Sequence, residues 1–170
     1  AIGSIERMGE VAALGGEAIP LPRSAESLWS SVSGDSDFVA LVTPNFLFAD
    51  GRQLLQATAP ELIDPLRRLM QPDVAIALIS IDLFGQDRVY IEWRFAPSGG
   101  ISQASLMKKI SETTDRSPEW ADRFILESVT DPSWRLLAAR LPSMIGFVVG
   151  QLRFGISEGA VVANVYFPTR

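Results

Sequence analysis

The chain has 170 residues with a formal net charge of −5, of which 47% are hydrophobic and 21% charged, and it contains neither histidine nor cysteine. That length and composition fit one well-filled globular domain rather than a disordered segment, and the acidic balance, with no basic stripe, speaks against a nucleic-acid partner. The missing residue types exclude a His-paired or thiol nucleophile, thiolate zinc and iron–sulfur sites and disulfides, leaving carboxylates, Arg, Lys and Tyr for any acid/base work.

Residues 1–36 stand apart from the rest. They set Arg7 and Arg23 against five acidic residues and hold Gly3, Gly9, Gly15, Gly16, Gly34, Pro20 and Pro22. An extended or weakly helical lead-in is expected here, ending in a short helix capped by Ser24 with Leu28, Trp29 and Val32 turned inward. Residues 37–170 are expected to form one α+β domain.

That domain opens with a buried strand, Asp37 to Val42, closed by Thr43-Pro44-Asn45. Asp50-Gly51 is a turn dipeptide, and Thr58-Ala59-Pro60-Glu61 has the form of a capping box. The helix behind it would bury Leu62, Ile63, Leu66 and Leu69. Pro65 either kinks this helix or makes it restart with Asp64 as cap.

Val74 to Phe95 reads as a hairpin. Ala77, Ile79, Ile81 and Leu83 alternate with more polar positions, as do Val89, Ile91, Trp93 and Phe95. Both apolar sets must share a face, so Leu83 pairs with Val89, Ile81 with Ile91, Asp82 with Tyr90 and Ser80 with Glu92. Gly85-Gln86-Asp87 is then a three-residue loop.

After Pro97-Ser98-Gly99-Gly100 the hydrophobic period becomes helical. Leu106, Met107 and Ile110 share one helix face, Ser117-Pro118 starts a second helix and Asp131-Pro132 a third. The third runs through Trp134, Leu137 and Leu141, is kinked or interrupted at Pro142, and continues its apolar side to Val149. It is the helix expected to lie across the sheet, with Trp134 in one core with Trp93. The apolar stretch 141–150 is too short to span a bilayer, so no membrane span is expected within this chain.

A second hairpin closes the domain, with a two-residue Glu158-Gly159 turn that pairs Ile156 with Val161 and Phe154 with Ala163. The fold class predicted is α+β: an antiparallel sheet built from two hairpins plus one further strand, with helices packed mainly on one face.

Motifs that carry chemistry are missing. Neither glycine pair extends to a phosphate-cradling loop, and no calcium loop or nucleophile elbow occurs. Asp35-Ser36-Asp37 supplies too few oxygen ligands for a cation site, so no metal is expected. Ser105 and Lys109 lie one helical turn apart, but they read as an exposed helix side rather than a catalytic dyad. No cofactor is expected.

The one polar grouping is the outward face of the sheet. Asp82, Tyr90, Glu92 and Arg94 share it on the first hairpin, and Arg153, Asn164 and Tyr166 occupy the corresponding face of the second. A solvated face with cross-strand pairs accounts for it. A recognition surface, or acid/base work by Asp82 and Glu92, is the functional alternative.

The function expected is a non-catalytic α+β interaction or structural module of a larger protein, whose partner is another protein or a second copy. The start at Ala1 rather than Met and the strand-like ending near Phe167 suggest such an excised piece. The alternatives are a small-molecule binding domain with an apolar cavity lined by Trp93, Phe95, Trp134 and Phe147, or a carboxylate-based enzyme.

Overall fold

Alternation of apolar and polar residues over Val74–Phe84 and Arg88–Pro97 produces the two longest strands, β2 and β3, and they form the spine of the molecule. In this computed structural model the residues described are 21–32, 34, 36–49, 52–53, 56, 63–70, 72–84, 88–129 and 131–168. Strands β1 (Phe38–Val42), β4 (Arg153–Ser157) and β5 (Ala160–Pro168) complete one five-stranded antiparallel sheet in the order β1-β2-β3-β5-β4. The expected α+β class and its two hairpins plus one strand are therefore present. The turn 85–87 and the capping box at 58–61 lie outside the described residues.

Register follows side-chain parity at every pairing tested. Leu83 pairs with Val89, Ile81 with Ile91, Asp82 with Tyr90 and Ser80 with Glu92. In the second hairpin Ile156 pairs with Val161 and Phe154 with Ala163. A one-residue slip would turn each apolar set toward water, which is why pattern alone determines these pairs. The Glu158-Gly159 turn has positive φ at both residues, 51° and 80°. Positive φ at both central residues matches the right-handed twist of a two-residue hairpin.

Seven helices are described: α1 (Arg23–Ser30), α2 (Pro44–Phe48), α3 (Ile63–Met70), α4 (Gln103–Asp115), α5 (Ser117–Ser128), α6 (Pro132–Ala138) and α7 (Leu141–Gln151). Pro65 is tolerated because it sits in the first turn of α3, where its missing N–H has no intrahelical partner to lose. Pro142 likewise falls in the first turn of α7 and separates it from α6. Thr43 caps α2, Ser102 caps α4 and Asp131 caps α6, each accepting from a backbone N–H of the first turn.

The helix that lies across the sheet is α4, not the segment from 131 to 150. Leu106 and Ile110 of α4 are 0% and 1% exposed and pack with Met70, Val74, Ala77, Phe95 and Val161. Lys109 Nζ, 2.5 Å from Asp73 Oδ2, ties α4 to the entry of β2. By contrast, α7 buries no residue, and Trp134 of α6 is 64% exposed and far from a shared core with Trp93. Hydrophobicity chose the wrong helix because it reports how apolar a segment is, not what it meets.

Helices approach the sheet from both sides. Ala25 and Leu28 of α1 pack with Ile76, Leu78, Ala96 and Ala160, residues of opposite parity to those under α4. This brings part of the lead-in into the core. The helix carries no side-chain cap from Ser24; Pro22 occupies the N-cap position instead, and Trp29 faces solvent rather than the core. Ala25 and Leu28, three residues apart, define the buried stripe that Trp29 lies outside.

Candidate functional site

Sheet order places the seven polar residues in adjoining rows on the face that carries α1. Tyr90 stands between Asp82 and Tyr166. The next row runs Ser80, Glu92, Asn164 and Arg153, and the one beyond it Leu78, Arg94, Val162 and Gly155. Opposed residues on neighbouring strands lie within about 5.5 Å, so side chains in adjoining rows can touch.

Glu92 is the hub. Its Oε1 accepts from Arg94 Nε at 2.7 Å, and its Oε2 accepts from the Tyr90 hydroxyl. Glu92 and Arg94 side chains are each only 13% exposed. The alternation of β3 implies a solvated surface carboxylate at Glu92, and the structure corrects that: it is an enclosed, doubly bonded ion. The rings of Tyr90 and Tyr166 meet at 4.6 Å between centroids, a distance typical of paired aromatics.

Burial first, then the hydrogen bond to Glu92 and its negative charge, hold the Tyr90 phenol well above its ordinary range. Tyr90 is thus a fixed donor and no base. Glu92 has both oxygens engaged, so proton transfer through it would first have to break an enclosed ion pair. Asp82 lies one row away and makes no ion pair or hydrogen bond among the described residues. What the arrangement offers is the Arg94 guanidinium held by Glu92, with the exposed Arg153 beside it.

Those two arginines border a hollow of about 290 Å³, lined also by Glu92, Asn164, Ser157 and Val162. Arg94 Nη1 is enclosed and has no hydrogen-bond partner among the described residues, with Glu158 Oε2 3.5 Å away. Sequence reasoning missed Glu158 and Gly155 in this site. Both could be found from the hairpin register, which puts Gly155 in the row of Arg94 and Glu158 in the adjoining turn.

The remaining candidates disperse. Ser105 accepts from the Ser102 hydroxyl at the start of α4, while the Lys109 ammonium is held by Asp73, so the two form no dyad. Asp37 accepts from the Leu83 N–H at 2.7 Å, and Asp35 lies outside the described residues. Among the described residues no group of three or more Asp or Glu side chains could hold a metal, and no helix is long and apolar enough to cross a membrane.

The four residues expected to line one apolar cavity are also separated. Phe95 and Trp93 belong to the α4 core, whereas Trp134 and Phe147 are exposed on α6 and α7. A different apolar groove, about 430 Å³, runs between α7 and the end of β5, lined by Arg140, Ser143, Met144, Phe147, Val148 and Phe167. Searches against protein-family models, curated proteins and solved structures found no match for the chain.

Proposed function

We propose that this chain is a non-catalytic interaction domain that associates with a second copy of itself through the arm formed by α5, α6 and α7. The observation that carries the reading is α7 itself. Its eleven residues include no charge, yet none is buried. One side of α7 packs on α5, and the other leaves Met144 and Phe147 more than 60% exposed among the described residues, an apolar surface suited to a partner. Leu126, Trp134, Leu136, Met144 and Phe147 extend the exposed apolar character along the same arm.

Charge points to a second copy as the occupant. With Arg116, which precedes α5 and pairs with its Glu119, residues 116–151 contain four arginines (Arg116, Arg123, Arg135, Arg140) and four acids (Glu119, Asp122, Glu127, Asp131), so the arm and its cap are together neutral. The chain's entire net charge of −5 resides elsewhere. Two copies that meet arm to arm bring no net charge into the contact, and a mixed-sign surface can complement itself across a two-fold axis.

Light scattering on the eluting protein tests this. The wild type should run at twice the 18.5 kDa chain mass, and Phe147→Glu or Met144→Glu should return it to one chain mass with the fold retained. Dimers that persist in both variants would move the interface off the arm. A monomeric wild type that instead takes up an apolar dye in the α7 groove would overturn self-association in favour of small-molecule binding.

A further inference from the structure

We propose that the hollow between Arg94 and Arg153 is a binding site for a small carboxylate anion, and that Glu158 is its internal stand-in. The site stands on the sheet face and does not depend on association through the arm.

Its shape comes from one missing side chain. Gly155 lies in the row of Arg94 and Val162, and a Cβ built there would meet nothing within 4 Å among the described residues. Any larger residue would project into the hollow, so the glycine keeps backbone as its floor. The backbone there has an ordinary φ and needs no glycine for conformational reasons. Open space is what this position supplies.

Its charge comes from two guanidinium groups with unequal commitments. Arg94 commits Nε to Glu92 at 2.7 Å, which fixes the fork, while Nη1 is enclosed without a hydrogen-bond partner among the described residues. An enclosed donor left unbonded costs free energy that an acceptor would recover. Arg153 makes no ion pair among the described residues. Asn164 and Ser157 add neutral donors on the same lining.

Glu158 shows what the site accepts. Its Oε2 approaches Arg94 Nη1 to 3.5 Å, near enough for attraction but beyond ordinary hydrogen-bond length, and its side chain is 65% exposed. It also sits at φ 51°, where Gly, Asn or Asp is the usual turn residue. A carboxylate thus hovers over the buried fork without closing on it, and a free carboxylate of better geometry can displace it. With Glu158 swung out, Arg94 and Arg153 exceed Glu92 by one positive charge. That surplus suits a monoanion, and the planar fork suits a carboxylate. At about 290 Å³ the hollow lies at the lower end of ligand pockets, so the ligand has few atoms.

Acetate is the probe, titrated at constant ionic strength against the backbone amide signals of Arg153, Gly155 and Asn164, with inorganic phosphate in parallel. Saturable acetate shifts are expected in the wild type. Glu158→Gln should bind acetate roughly threefold to tenfold more tightly, because the resident competitor is gone. Arg153→Gln should bind about tenfold more weakly, and Gly155→Leu, which fills the hollow, should not bind. Should Gly155→Leu fail to fold, Arg153→Gln and Glu158→Gln carry the decision. Shifts that never saturate, phosphate binding as tight as acetate, or an unchanged affinity in Glu158→Gln would each overturn the assignment.

Discussion

Arg94 Nε lies 2.7 Å from Glu92 Oε1, and the two side chains are equally enclosed. Removing one member of such a pair strands the other as an uncompensated buried charge. Arg94→Met should therefore destabilise the fold by about 3–5 kcal/mol. The double variant Arg94→Met/Glu92→Leu should recover much of that loss, because neither charge is then buried alone. Urea titrations of the three proteins measure both effects, and a single-variant cost below about 1 kcal/mol would show the pair to be effectively solvated.

Tyr90 gives the pair a pH signature. Its folded pKa is raised above the ordinary phenol value of 10.0 by burial and by Glu92. Above pH 10 the unfolded chain releases this proton while the folded chain keeps it, so the contribution is complete below pH 10 and is lost as pH rises. Tyrosinate absorbance should show the Tyr90 share appearing only as the protein unfolds, and Tyr90→Phe should lose stability less steeply above pH 10 than the wild type. A Tyr90 signal that titrates at its ordinary value in the folded state would contradict this arrangement.

The core makes a contrasting pair of predictions. Leu106 is wholly enclosed at the α4–sheet contact, so Leu106→Ala should cost about 3–5 kcal/mol through lost transfer energy and a residual cavity. Trp134 is largely exposed on α6 and should cost far less, under about 1 kcal/mol, when replaced by Ala in the monomer. Denaturant midpoints that reversed this order would place the core under α6 rather than α4.

How much of this was legible follows from the physics of each signal. Parity has a period of two and admits no intermediate answer, so the pairings Ile81–Ile91 and Ile156–Val161 and the shared face of Glu92, Arg94 and Asn164 could be read directly. Helix placement has no such constraint. The 131–150 segment is more apolar than α4, yet Leu106 and Ile110 are buried in the core while Phe147 stays largely exposed. Tryptophan misled for a related reason: Trp29 and Trp134 occupy positions expected to face inward, but the buried stripe of α1 runs through Ala25 and Leu28 and Trp134 is 64% exposed. The enclosure of Glu92 depends on what covers the sheet, which alternation along one strand cannot report.

Self-association through a neutral, apolar arm is the claim on which the functional account rests. Sedimentation equilibrium over a wide range of protein concentration tests it most directly. The account predicts a mass that rises with concentration to two chains of 18.5 kDa and no further, as a closed two-fold contact requires. Added salt should strengthen the association modestly, by screening the repulsion between two chains of −5 whose charge lies outside the contact. A mass that stays at one chain throughout would contradict the account.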